Sequence, residues 1–215
     1  LGLKLRFSYI NDNEKLYLNI IGYLNTKMEF TVEEKTKRPS SFCTICTKNC
    51  KQELVLWVLT MSIHHKGAKV YIMCDTASKN EIDNLTPDVN ERLNITWYVE
   101  LDEYSDKTRK QMEDEKIWSD FQMKKAVVMS RALENEKDTL FLDSDIVILD
   151  EINDVNHDMD IGVSPQYIKD ENVKEVGYYN GGMLWTQNKE VPDDWIEFTK
   201  TSRYFDQASI EDLAK

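Results

Sequence analysis

Long apolar runs are missing from this 215-residue sequence, and so are most of the short motifs that identify a chemistry at sight. No stretch approaches the roughly 18 apolar residues of a membrane-spanning helix; the longest candidate, 54–61, is broken by polar flanks. Neither G-x-G-x-x-G nor a Walker lysine loop is present, so the common glycine-rich phosphate cradles are excluded. Positive charge is outnumbered. With 27 Lys and Arg against 39 Asp and Glu, the net charge of −12 argues against nucleic acid or an anionic membrane as the main partner. A phosphate-bearing ligand would therefore need a local cation, metal or side chain, to offset the field.

Histidine is also rare, and its three positions do not make a metal site. His64 and His65 are adjacent at the end of an apolar helical stretch and point two ways. His157 lies in Asp154-x-Asn156-x-Asp158, which resembles a calcium loop. Met159 stands where that loop needs glycine, however, and no glutamate closes it. Asp158-Met-Asp160 precedes its strand rather than following it. No secretory signal is visible, although the chain opens on Leu1 rather than Met. Without such a signal the sequons at Asn84 and Asn94 carry little weight. The four cysteines, Cys43, Cys46, Cys50 and Cys74, have a spacing that invites zinc, but the first two fall in a strand-like apolar run without a glycine knuckle. A redox C-x-x-C would open a helix, and the helical pattern starts later, near Gln52. Reduced, structural thiols in a reducing, cytoplasmic compartment are expected.

The chain is long enough for one domain with a substantial core; 41% hydrophobic residues and no low-complexity tract make it globular. Residues 3–10 and 15–22 alternate around the polar turn 11–14 and predict an N-terminal β-hairpin. Residues 31–40 read as a linker, so 1–40 forms a hairpin-and-linker segment and 41–215 the main domain. From there strand and helix alternate. Strands are expected at 42–46, 69–73, 95–99, 139–142, 161–164 and 182–185. Helices are expected at 52–64, 79–85 and 121–134, with two more after Pro192; 103–117 is a charged loop with a short helix. Met123, Ala126 and Val127 form one apolar helix face. This order predicts an α/β fold, with a mostly parallel central sheet covered by helices on both faces.

The most informative stretch is 139–151. The apolar run Leu140–Leu142 ends in Asp143-Ser144-Asp145, and Ile146–Leu149 follows at once. This reads as a buried strand that delivers two carboxylates to its C-terminal end, the edge where open α/β sheets bind ligands. Two acids one residue apart suit a hard divalent cation with oxygen ligands, which can in turn hold a diphosphate. Other strand ends would share that edge. One brings Cys46, Thr47 and Asn49 and another Asp75, together a plausible nucleoside pocket. Asn49 and Asp75 equally suit helix N-caps. Lys124 and Lys125, on the preceding helix, are candidate cations or plain surface lysines. Asn180-Gly181-Gly182 allows a ligand to approach the backbone, or marks a bulge. Asp206 and Gln207 head a final helix, where Asp206 alone would read as an N-cap.

Five segments in this order resemble glycosyltransferases of the GT-A fold, closest to the retaining UDP-sugar enzymes related to glycogenin. They are 41–49, the helix with Lys125, Asp143-Ser-Asp145, Asn180-Gly-Gly182 and Asp206-Gln207. The pattern is also similar to the glycosyltransferase domains of chlorella-virus capsid-glycosylating proteins, which would place the chain in a host cytoplasm. The resemblance implies that Ile45, Thr47, Asn49 and Asp75 surround the uridine, with Lys125 and Ser144 near the nucleotide. It implies that Asp143 reaches ribose and metal and that Asp145 binds Mn²⁺ or Mg²⁺. Asn180, Gly181 and Gly182 would line the sugar site, with Asp206 and Gln207 in catalytic positions. The implied partners are a UDP-sugar donor, a glycan or glycoprotein acceptor, and further domains of a longer polypeptide. Two departures stand out. The family's usual third metal ligand, a later histidine, has no match before Lys215, and the 3–22 hairpin has no counterpart in the family core.

Two other functions compete. Phe141-Leu-Asp-Ser-Asp-Ile-Val147 also resembles the nucleophile motif of haloacid-dehalogenase-type phosphatases, with Asp143 as nucleophile. That fold needs the motif on its first strand, and a paired-Asp strand end that Asp193-Asp194, just after Pro192, does not supply. A catalytically silent nucleotide-sugar or glycan-binding module would explain the missing third ligand.

Overall fold

The computed structural model describes residues 36–86 and 88–215; the predicted 3–22 hairpin lies outside them. The strands are β1 (Thr36–Lys37), β2 (Ser41–Cys46), β3 (Lys69–Cys74), β4 (Asn94–Val99), β5 (Thr139–Leu142), β6 (Val155–Asn156), β7 (Ile161–Pro165) and β8 (Tyr179–Thr186). The helices are α1 (Lys51–His64), α2 (Thr76–Leu85), α3 (Val89–Arg92), α4 (Arg109–Asp114), α5 (Trp118–Leu133), α6 (Asp170–Val176), α7 (Val191–Thr199) and α8 (Phe205–Leu213). β1 pairs with β6 in a small antiparallel sheet, so part of the expected linker is strand.

The main sheet has six strands in the order β4-β3-β2-β5-β8-β7. β2, β3, β4 and β5 pair in parallel, while β8 runs antiparallel to both β5 and β7. The α/β class and mostly parallel sheet hold, with one reversed strand that periodicity does not reveal. The six residues of β2 and the four of β5 are all buried, as expected for strands covered on both faces. Side chains divide by parity. Phe42 and Cys46 join Trp57, Met61 and Ile72 beneath α1 and α2. Cys43 and Ile45 join Met73, Phe141, Met129 and Trp195 beneath α5, α7 and α8. The α5 core face includes Met123, Ala126, Met129, Ala132 and Leu133, while Val127 is only half-buried.

Chain order fixes where the site lies. From β2 the chain winds outward through β3 to β4, then returns across β2 to lay β5 on its other side. The C-terminal ends of β2 and β5 thus flank a topological switch point, where adjacent connections diverge and leave a crevice. Because β8 is reversed, its beginning, Asn180–Gly182, lies at that edge: the Asp143 N–H donates to the Gly182 carbonyl at 2.9 Å. The motif strand β5 is central and late in the chain, which does not meet the requirement of the phosphatase reading.

Candidate active site

Two adjoining cavities open at the switch point. The first, about 300 Å³, is walled by Ile45, Thr47, Asn49 and Cys50 after β2, by Asp143, Ser144 and Asp145 after β5, and by Met112, Phe121 and Lys125 from the covering helices. The second, about 160 Å³, is walled by Asn180, Gly181 and Gly182 of β8 and by Tyr204, Phe205, Asp206 and Gln207 at the head of α8. Arg109, Trp118, Gln122, Lys125 and Asp143 line both. The first is large and mostly apolar with a polar floor, while the second is small and polar.

Lys125 sits between them. It is buried on α5, and its Nζ lies 3.0 Å from Asp143 Oδ1, 2.9 Å from Asp206 Oδ2 and 3.1 Å from the Gly181 carbonyl. Burial alone would lower its pKa, but the Asp206 and Asp143 carboxylates more than offset that and raise it, so the ammonium stays charged. Burial raises the Asp143 carboxyl above its ordinary value; Lys125 opposes this, and Asp206 and Asp145 add to it. Lys125 therefore bridges two carboxylates brought together from β5 and α8.

The glycines make room for this bridge. A Cβ on Gly182 would stand 2.6 Å from Asp143 Oδ2, and one on Gly181 would stand 2.9 Å from Asp206 Oδ2. Asn180 Oδ1 accepts from the Gly182 N–H at 2.7 Å, which fixes the local turn of the strand. Asp206 does not cap α8 as its position in the sequence suggests. The cap residue is Tyr204, without a side-chain hydrogen bond, and Asp206 lies inside the helix with its carboxylate on Lys125. Phe205 adopts φ 39°, a left-handed conformation unusual for an aromatic residue, at the mouth of the second cavity. Gln207 Nε2 donates to the Val176 carbonyl at 3.0 Å, tying α8 to α6.

Of the residues singled out for this edge in the sequence, Asp75 and Lys124 are absent from both cavity walls; Lys124 pairs with Asp120 at 3.5 Å instead, and Asp75 has a different role. It is fully buried and caps α2: Oδ1 accepts from Ser78 N–H at 2.8 Å, and Oδ2 accepts from Lys48 N–H at 2.7 Å. Burial pushes its pKa up, but the hydrogen bonds from Ser105, Ser78 and Lys48 win and hold it below the ordinary value. Asn49 is not a cap; its Nδ2 donates to the Lys107 carbonyl at 2.9 Å. The sequence reading missed Arg109, Trp118, Gln122, Tyr204 and Phe205. A signal for the first was present: Thr108-x-x-Gln111 forms a capping box that starts α4 at Arg109.

Asp143 and Asp145 offer hard oxygen donors, and Asp145 is exposed. Among the described residues no group of three or more His, Cys, Asp or Glu side chains gathers as a metal site. The donor set thus suits a cation completed by ligand or water oxygens. Cys43, Cys46 and Cys74 are buried and their thiols are pushed up to about 12, while Cys50 is exposed; all four are free. Among the described residues no helix is long and apolar enough to cross a membrane.

This architecture is the GT-A fold of glycosyltransferases. Among solved structures, the chain is similar to the galactosyltransferase LgtC, solved with donor and acceptor sugar analogues. There the TM-score is 0.53 at 15% identity, over 80% of this chain and 70% of that one. It is also similar to mouse xyloside xylosyltransferase 1, with TM-score 0.51 and 11% identity over 81% of each chain. A third is the glycosyltransferase GlyE of Streptococcus pneumoniae TIGR4, with TM-score 0.51 and 16% identity. That match covers 84% of this chain but only 43% of GlyE, so the chain spans less than half of that protein. No protein-family model and no curated protein sequence matches the chain. At these identities the likeness establishes the fold alone.

Proposed function

We propose that this chain is a metal-dependent glycosyltransferase domain that moves a sugar from a UDP-sugar to a glycan or glycoprotein acceptor with retention of configuration. The observation that carries it is the paired cavity at the switch point, divided by the Lys125 bridge and edged by Asp143 and Asp145. A larger apolar compartment beside a smaller polar one has the form of a nucleotide-sugar, with base and ribose in the first and sugar in the second. Ile45, Thr47, Asn49 and Ser144 would face the nucleoside, and Asn180, Gly181, Gly182 and Gln207 the sugar. Asp143 and Asp145 would hold Mn²⁺ or Mg²⁺, which when bound offsets charge on the departing diphosphate.

The ion pair favours retention. Asp206 Oδ2 is taken up by Lys125 Nζ at 2.9 Å rather than left open to an acceptor hydroxyl, which does not suit the general-base position of an inverting enzyme. Because Lys125 is shared between Asp143 and Asp206, one positive charge faces two carboxylates, and the negative charge left at the sugar compartment would stabilise positive charge developing at the anomeric carbon.

A thermal-shift panel of UDP, GDP and CMP, with their sugar conjugates, tests the reading. UDP and a UDP-sugar should raise Tm in Mn²⁺ or Mg²⁺ and have no effect in excess EDTA. Asp145→Ala should abolish the metal effect while leaving apo stability unchanged or slightly raised, because Asp143 and Asp145 repel one another. Equal stabilisation by UDP in EDTA would refute the metal dependence, and no response to any uridine compound would refute the donor.

A further inference from the structure

We infer that Arg109, seated on Trp118, is the side-chain grip for the donor's diphosphate, an inference that rests on the nucleotide-sugar reading above. In a nucleotide-sugar the diphosphate is the link between nucleoside and sugar. It must therefore lie where the two compartments meet, against the residues common to both walls. Those residues are Arg109, Trp118, Gln122, Lys125 and Asp143. Two are cations, and they differ in what they have left to give. Lys125 is only 7% exposed and already serves Asp143, Asp206 and the Gly181 carbonyl. Its charge is balanced in place. Arg109 is 53% exposed; its Nε donates to Glu113 Oε1 at 2.7 Å on the same short helix, and its guanidinium also donates to the Tyr204 hydroxyl at the second cavity's wall. An exposed pair one helical turn apart is weak and yields readily to a doubly charged competitor.

Two further features prepare the guanidinium for an anion. Its Cζ lies 5.2 Å from the Trp118 ring centroid and 5.8 Å from that of Phe205, so aromatic faces from two elements hold it at the junction. Trp118 Nε1 is buried and has no hydrogen-bond partner, a donor at the shared wall that a phosphate oxygen would satisfy. Gln122 Oε1, one turn further along α5, is likewise buried without a partner. In a chain of net charge −12, a fork of N–H donors at this junction supplies what the surrounding field denies an anionic ligand.

The test uses the full chain in Mn²⁺. Affinities for UDP and for uridine are measured side by side by calorimetry and ligand-observed NMR, in wild type and in the Arg109→Gln, Arg109→Lys and Trp118→Phe variants. Arg109→Gln should weaken UDP tenfold or more and leave uridine unchanged. Arg109→Lys should recover part of the loss, because the charge returns without the fork. Trp118→Phe keeps the ring but removes the N–H, and should weaken UDP severalfold, again sparing uridine. Equal losses for UDP and uridine would overturn the inference by showing a merely structural role, and so would unchanged UDP affinity in Arg109→Gln. A wild-type chain that binds no uridine compound would refute the nucleotide-sugar reading itself, whereas normal wild-type UDP binding with an indifferent Arg109 would remove this inference alone.

Discussion

Asp206 shows how far one residue can be read from its neighbours in sequence. Following Tyr204 and Phe205 and heading a helix, it has the marks of an N-cap. The structure instead turns its carboxylate inward onto Lys125, 81 positions earlier in the chain. A local motif reports local geometry, and nothing in the sequence announces that a lysine from α5 will arrive there. Asp75 is the converse case: of the two readings its position offered, base recognition and helix cap, the structure shows the cap, its carboxylate accepting from two backbone N–H groups. The two roles of Asp206 can be separated by Asp206→Asn. Asn caps a helix as well as Asp, so a cap would lose no stability. A buried ion-pair partner would. With Asp143 still beside Lys125, the expected loss is about 2 kcal/mol, less than for removal of a lone partner, measured by urea unfolding. With donor present, kcat should fall about a hundredfold, near 2.7 kcal/mol, while UDP affinity stays the same. Unchanged stability and turnover would leave the Lys125–Asp206 contact without consequence.

At the scale of elements, hydrophobic pattern located every strand of the main sheet, because buried strands must be apolar and helices must show a face. It did not give the direction of β8. A strand reads alike in both directions, and Asn180-Gly181-Gly182 would sit at the wrong edge had β8 been parallel. Their place beside Asp143 follows from the antiparallel β5–β8 register, Leu142 opposite Met183. The short pieces β1, β6, α3 and α6 were missed because a handful of residues carries no period. Nor did the sequence show how the segment after the acidic pair is held. Ile152 N–H donates to His65 Nε2 at 3.1 Å and Ile148 N–H to Thr60 Oγ1 at 3.3 Å, so the end of α1 fastens residues 146–152. His65 is fully buried, and burial, with the nearby Arg38 charge, lowers its pKa from 6.5 to about 4. The folded chain thus keeps this imidazole neutral where the unfolded chain would protonate it. Stability should fall as pH drops from about 6.5 to 4, by up to about 3 kcal/mol from this group, and the effect should be absent above that window. Urea unfolding at pH 7.5 and 4.5 should show a smaller pH dependence in His65→Gln, whose amide oxygen can still accept from Ile152. Parallel curves for the two proteins would show that His65 is not the group responsible.

At the scale of the whole molecule, the charge of −12 acts on every ligand before contact is made. On the proposed reading, this field would repel an anionic nucleotide and attract a divalent cation, which favours loading the cation before the diphosphate. Added salt separates this long-range field from the local ligands. The screening length shrinks from about 30 Å at 0.01 M to about 8 Å at 0.15 M, so distant carboxylates drop out while Asp143 and Asp145 remain. Mn²⁺ affinity, measured by calorimetry on the chain without nucleotide, should therefore weaken severalfold between those concentrations. The affinity for metal-free UDP should move the other way, because screening relieves repulsion. A basic phosphate-binding protein would show the opposite sign for the nucleotide, since its attraction is what salt removes. Mn²⁺ affinity indifferent to salt would confine the electrostatics of this site to its own carboxylates, and the acidic surface would then have no part in loading it.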